Sequence, residues 1–230
     1  MTDTTIDSIW EDKIYSQGQH LNRYPYDVVV SFVFRNYPRN KDRKNIRILE
    51  VGCGSGNNLW FAAREGFSVT GVDGSASAIE FARARFKQDG LTGDFHVGDF
   101  TQLPFQEALF DLVIDRGALT CCGFTSALVA VGEVRRVMVP GGKFLLNPYS
   151  DRHSSHISGK PGRDGETVDI NDGSLVGVGP ICFYGRHQVD RLIQGGWKAL
   201  SVEHLELVNQ VSPRFLVHAE WRVVVQKTTD

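Results

Sequence analysis

The stretch Ile48-Leu49-Glu50-Val51-Gly52-Cys53-Gly54-Ser55-Gly56-Asn57-Asn58 decides the fold. Ile46, Ile48, Leu49 and Val51 read as a buried strand, and Leu59-Trp60-Phe61-Ala62-Ala63 open a helix. Between them three alternating glycines make a tight turn. Strand, glycine-rich turn and helix N-terminus together cradle an adenosine-type ligand, because glycine lets the backbone turn sharply and approach the ligand with no Cβ in the way. Spacing narrows the ligand. A dinucleotide fingerprint reads G-x-G-x-x-G, its last glycine packing helix on strand. Here the glycines fall at 52, 54 and 56, and Asn57 stands where the dinucleotide motif has glycine. The lysine of a P-loop is missing as well.

Working outward, Phe67-Ser68-Val69-Thr70-Gly71-Val72-Asp73 reads as a second strand with a carboxylate at its tip. An acid there, roughly twenty residues past the glycines, can accept both ribose hydroxyls. Gly74-Ser75-Ala76 leads into a helix over Ala78–Lys87, with Ser75 or Ser77 as N-cap. Asp94–Phe100 alternates like a third strand and ends in Gly98-Asp99-Phe100, and Phe110-Asp111-Leu112-Val113-Ile114 reads as a fourth. Residues 134–146 predict a helix, a Pro140-Gly141-Gly142 turn and a fifth strand, and Gln188–Gln194 a helix closed by Gly195-Gly196. Leu200–Val208 and Leu216–Gln226 look like strands, and residues 209–215 between them are too few for a parallel crossover, so the two pair as an antiparallel hairpin.

Glu50-x-Gly52-x-Gly54-x-Gly56 resembles motif I of class I S-adenosyl-L-methionine (SAM)-dependent methyltransferases, and the Gly-Asp-Phe, Phe-Asp-Leu-Val-Ile and Pro-Gly-Gly stretches follow in that family's order. The resemblance implies an α/β, Rossmann-like, doubly wound sheet of seven mostly parallel strands with an antiparallel final strand. It divides one domain, 1–230, into a helical cap (1–44), a SAM-binding core (45–148), a substrate lid (149–180) and a C-terminal helix and β-hairpin (181–230). SAM would be held by Glu50, Gly52, Cys53, Gly54, Gly56, Asn57, Asp73, Gly74, Ser75, Asp99, Phe100 and Asp115. Of these, Asp99 takes the adenine amine, Phe100 lies beside the base, and Asp115 with Arg116 leaves the fourth strand under the methionine part. An NAD(P)-dependent oxidoreductase is the alternative enzyme, weakened by Asn57, the short final hairpin and Gly-Asp-Phe. A SAM-binding regulatory module without turnover stays open, because the family needs no obligatory catalytic signature.

Two segments outside the core define the acceptor. In the first, Pro25 starts a helix through Phe34, and Tyr15, Tyr24 and Tyr26 are candidates to reach the methionine carboxylate. Tyr15 is assigned to the cofactor and Tyr24 to the acceptor. This head, with Trp10-x-x-x-x-Tyr15-x-x-Gly18 and Asn22-x-Tyr24-Pro25-Tyr26-Asp27, is similar to bacterial methyltransferases of surface-glycan biosynthesis. The second is a long irregular segment from Asn147 to Val178, and such loops are commonly lids. Its Arg152, His153, His156, Lys160 and Arg163, joined by Arg116 and Tyr149, suit an anionic or hydroxyl-rich, sugar-related acceptor. Asp115, His153 and His156 are the candidate bases. The expected reaction is methyl transfer to oxygen or nitrogen of a small molecule.

Composition excludes other classes. A net charge of −2 and a pI near 6.4 lack the basic footprint of a nucleic-acid enzyme. The cluster Arg35, Arg39, Lys41, Arg43, Lys44 and Arg47 reads as a solvated linker. No membrane-length apolar run or signal-peptide core appears, which predicts a cytoplasmic protein acting away from membranes. The four cysteines lack metal-ligand spacing, so no metal is expected, and the sequence leaves monomer and homodimer both open.

Overall fold

β1 (Arg47–Val51) and β4 (Phe110–Asp115) are buried along almost their whole length, which is why both read as continuous apolar runs. The structure, a computed structural model, describes residues 9–18, 21–211 and 216–229. β1 pairs in parallel with β2 (Ser68–Asp73) on one side and with β4 on the other. β3 (Asp94–Val97) extends the sheet beyond β2, and β5 (Met138–Leu146) extends it beyond β4. A short antiparallel sheet from the lid supplies β6 (Lys160–Pro161), β7 (Glu166–Val168) and β8 (Ile181–Cys182). β9 (Trp197–Val208) and β10 (Val217–Lys227) form the hairpin. Strand order in the seven-stranded sheet is β3-β2-β1-β4-β5-β10-β9. β10 runs antiparallel to both neighbours, so the last strand of the chain slots inside the sheet, between β5 and β9.

Pleating sends alternate side chains to two cores. Ile48, Leu112, Ile114 and Leu145 meet α1 (Asp27–Asn36), α2 (Asn57–Arg64) and α3 (Ala76–Gln88) through Val29, Phe32, Leu59, Ile79 and Ala82. Leu49, Val113, Phe144 and Leu146 face α4 (Phe124–Val137) and α6 (Arg186–Leu192) through Ala127, Val131, Val134 and Val189. Helices therefore cover both faces, and the order of strands reverses at β1. Ligands gather at that switch point, outside the carboxyl ends of the strands.

Several boundaries differ from the sequence expectation. α1 begins at Asp27 with Tyr26 at the N-cap, so Pro25 lies just outside it. Ser75 rather than Ser77 caps α3, accepting from Ala78 N at 3.0 Å. Pro140-Gly141-Gly142 is a bulge inside β5, not a separate turn. Phe110 pairs with Met138 but Leu112 with Lys143, and Gly141 takes φ 76°. α6 ends at Leu192. The lid is folded rather than irregular: it holds α5 (Ser154–Ser158) and the small sheet. The basic cluster is partly tied down, with Lys41 on Asp111 at 2.6 Å and Arg43 on Glu65 at 2.9 Å. Ser212, Pro213, Arg214 and Phe215 of the hairpin connection lie outside the described residues. Among the described residues no helix is long and apolar enough to cross a membrane.

Candidate active site

A cavity of about 470 Å³ opens where β1, β2, β3, β4 and β5 end, and every one of those strand exits contributes to its wall. Its floor is the glycine loop. Gly52 and Gly54 both take positive φ, 62° and 49°. A Cβ on Gly54 would stand 2.5 Å from the Tyr15 hydroxyl, and one on Gly52 would collide with the Ala118 side chain. The loop is thus pinned between the N-terminal cap and the exit of β4 with no room for a side chain.

Behind this loop Glu50 is buried at 2 % exposure. One carboxyl oxygen accepts from Asn58 Nδ2 at 2.6 Å, while the other, Oε2, has no partner. Burial pushes the Glu50 carboxyl up to about 8, against the pull of the Asn58 hydrogen bond. Asn57 and Asn58 fasten the cap to the loop. Asn57 donates to the Tyr24 carbonyl at 2.8 Å, and the Asn58 side-chain oxygen accepts from Tyr26 N at 3.0 Å. Ser55 adds a bond to the Asn22 carbonyl at 3.0 Å. Asn57, which replaces the dinucleotide glycine, therefore has a positive role as an anchor.

Asp73 sits at the tip of β2, accepting from Gly54 N at 2.7 Å and Ser75 N at 2.9 Å. Each oxygen keeps a lone pair for a further donor. Burial raises its carboxyl, and the two amides work against that. Beside it Glu11, from a π-helical turn Trp10–Tyr15, accepts from the Ser75 hydroxyl, from Ser77 N at 3.1 Å and from the Ser77 hydroxyl at 2.6 Å. Gly74, Asp99 and Phe100 complete this end, and one Asp99 oxygen accepts from Thr101 N and Oγ1, both at 2.7 Å.

Across the cavity lies Arg116, 10 % exposed. Its guanidinium stands 4.3 Å from the Tyr26 ring and 6.0 Å from that of Tyr149, and Nη2 pairs with Glu220 at 3.3 Å. Arg116 Nε is buried without a partner. Burial would raise Glu220, but His218, Arg116 and Arg222 together hold it at about 2. The roof is apolar: Trp10, Leu175, Val178 and Ile181 line the cavity and belong to one hydrophobic cluster joining cap and lid. Cys121 also lines it, its thiol pushed up to about 12 by burial. Among the described residues no group of three or more His, Cys, Asp or Glu side chains could hold a metal.

Most residues expected at the site line this cavity: Glu50, Gly52, Cys53, Gly54, Asn57, Asp73, Gly74, Ser75, Asp99, Phe100, Tyr15, Arg116 and Tyr149. Others do not. Gly56 caps α2 and faces Ala82 and Phe95 in the core. Asp115 is fully buried beneath the cavity, where its carboxylate accepts from Ala118 N at 2.8 Å, Leu119 N at 3.0 Å and Asn147 N at 3.4 Å. It is a structural cap of the turn after β4, which withdraws it as cofactor ligand and as base. His153 caps α5 through Ser155 N and packs against Phe183 and His218, and burial lowers it to about 4. His156 meets Thr167 Oγ1 at 2.8 Å. Neither histidine lines the cavity, nor does Arg152, 70 % exposed beside Glu206. Tyr24 is 77 % exposed, and only its carbonyl reaches the site, through Asn57. The lid turns Leu175 and Val178 inward and its cations outward, against the charge-led expectation, while Ile157 and Val176 stay exposed. Glu11, Asn58, Cys121, Glu220 and the Leu175–Ile181 wall were missed, because only tertiary packing brings them to the motifs.

Residues 48–142 match the family model of a methyltransferase domain. Over 140 residues the chain is 32% identical to a fatty-acid O-methyltransferase of Mycolicibacterium smegmatis, covering 60% of this chain and 48% of that protein. It is 33% identical over 152 residues to phthiotriol/phenolphthiotriol dimycocerosates methyltransferase 1 of Mycobacterium ulcerans, covering 63% and 55%. The chain thus spans about half the length of the curated relatives it matches. A SAM-dependent methyltransferase from Methanosarcina mazei shares the fold at TM-score 0.71 and 20% identity, over 90% of this chain and 100% of that one. Magnesium protoporphyrin IX methyltransferase from Synechocystis, solved with S-adenosylhomocysteine, shares it at 0.62 and 15%, over 87% and 80%.

Proposed function

We propose that this chain, which carries a class I SAM-dependent methyltransferase domain, moves a methyl group from SAM to an oxygen or nitrogen of a small acceptor with an apolar body. The cavity fits the cofactor by two features. Glu50 Oε2 is a buried acceptor waiting for a donor, and the loop beside it is bare backbone at Gly52 and Gly54, where a Cβ would strike Ala118 or the Tyr15 hydroxyl. Glu50 would hold the amino group, Asp73 the ribose hydroxyls, Asp99 and Phe100 the adenine, and Tyr15 would close over the glycine loop. When bound, the cofactor supplies a methyl group on a positively charged sulfur, which is a built-in leaving group.

The rest of the chemistry belongs to the chain, and it is positioning. Arg116 and Tyr149 present polar groups at the exits of β4 and β5. The cap and lid, joined through Ile14, Leu175, Val178 and Ile181, give the cavity an apolar roof that would keep bulk water from a bound cofactor and acceptor. The single observation that carries the reading is the meeting of the glycine loop, Asp73 and Asp99–Phe100 with an apolar roof in one cavity. That roof favours an acceptor with an apolar body over a sugar, in keeping with relatives named for a fatty acid and for phthiotriol lipids. Incubation with SAM and fractionated small molecules tests it: S-adenosylhomocysteine should accumulate with an apolar fraction. Its failure to accumulate with any fraction, with SAM bound, would favour a binding module without turnover.

A further inference from the structure

Resting on the methyltransferase reading, we propose that the acceptor is a carboxylic acid with an apolar tail, bound as its carboxylate at Arg116 and methylated on oxygen without a protein base. Arg116 is a built site rather than a surface charge. It is nine-tenths buried, lines the cavity, and holds an Nε donor with no partner. Glu220 neutralises part of its charge, but Glu220 also serves Arg222 Nε at 2.7 Å and His218 Nε2 at 3.3 Å. One guanidinium so compensated suits a monoanion better than a dianion, and it opposes an ammonium.

A hydroxyl acceptor would have to give up a proton, and the described lining residues offer no base on this side. Asp115 is spent on three backbone amides, and His153 and His156 are bonded within the lid and do not line the cavity. Tyr149 and Tyr15 resist ionisation because burial raises both hydroxyls. Glu11 and Asp99 are engaged at the opposite end by Ser77 and Thr101, and Glu50 and Asp73 are assigned to the cofactor. A carboxylate needs no base. Its oxygen lone pair forms the new O–CH3 bond as the C–S bond breaks. That electron pair stays on sulfur, the two charges cancel, and no proton moves. The ester left behind is neutral, so Arg116 holds it less tightly than the acid, which favours release. Leu175, Val178, Ile181 and Trp10 would take the tail.

The test gives the SAM-loaded protein octanoate, octanol or octylamine, and follows methyl transfer alongside calorimetry of SAM binding. Methyl octanoate should form, with kcat flat between about pH 6 and 9 at saturating cofactor, since nothing on the acceptor titrates there. Arg116→Gln combined with Glu220→Gln removes both charges of this pair, and the partly exposed Arg222 keeps the carboxylate of Asp27. It should keep SAM affinity while raising the KM for octanoate by about 10–100-fold, the worth of a charged hydrogen bond. Octanoate left unmethylated by protein that binds SAM overturns the proposal. So does preferential methylation of octanol or octylamine, a tenfold rise in kcat per pH unit, or an unchanged KM in the double variant. Failure to bind SAM would instead remove the underlying methyltransferase reading.

Discussion

Glu50→Gln is the most informative substitution, because it separates the charge of Glu50 from its shape. Burial, reinforced by Asp115 and Asp73, pushes the carboxyl from its ordinary 4.5 to about 8. At pH 7 only about one carboxyl in ten is then ionised. A cationic amino group placed beside Oε2 favours the ionised form, so SAM binding should expel about nine-tenths of a proton from this residue. A charged hydrogen bond is worth ~1.5–3 kcal/mol, and ionising the carboxyl at pH 7 takes back about 1.4 kcal/mol. The variant should therefore lose at most about tenfold in affinity at pH 7 and more at pH 9. Calorimetry in two buffers of different ionisation enthalpy counts the protons, and any released by the ligand itself cancel between wild type and variant. Equal proton release in both proteins would refute the pairing. Stability gives a second readout. The folded value lies above the unfolded one, so this contribution is complete below about 4.5 and is lost as pH rises, levelling off above about 8. Wild type should lose a few kcal/mol over that window relative to Glu50→Gln, measured by urea unfolding.

Asp73→Ala should weaken SAM binding by ~1.5–3 kcal/mol with the fold intact, and an unchanged affinity would remove Asp73 as ribose ligand. Gly54→Val, which forces a side chain against the Tyr15 hydroxyl at positive φ, should abolish measurable SAM binding; calorimetry checks it. Asp115→Ala should lower unfolding free energy by about 1–3 kcal/mol, since it strands buried amides, whereas His153→Ala and His156→Ala should leave kcat within about twofold rather than the 10²–10⁴-fold loss of a removed base. Hydrogen exchange across residues 170–181 should slow when SAM and acceptor are both present, and equal protection with and without them would make the lid a fixed wall.

The fold was legible because β1, β4 and the glycine loop are local signals: buried apolar strands and a turn that only glycine can make. The places of Asp73 and Asp99–Phe100 on the cavity wall were legible for the same reason, since each sits at the end of a strand whose place follows from the sheet. Asp115 misled because a strand-tip carboxylate looks the same in sequence whether it points into the cavity or folds back onto Ala118 and Leu119. The lid misled through charge. Its histidines and arginines stand out in the sequence, yet Leu175, Val178 and Ile181 face the cavity, a choice made by packing against Ile14 of the cap. Glu220 lies in a strand whose insertion beside β5 brings it to Arg116, a contact with no local signature.

In the proposed function, the glycine floor and its two carboxylates, Glu50 and Asp73, hold SAM. Calorimetric titration of the protein with SAM, S-adenosylhomocysteine, NAD and NADP tests it most directly. Micromolar binding of the first two and none of the nicotinamide cofactors is expected. Tight NAD binding with no heat from SAM would contradict it.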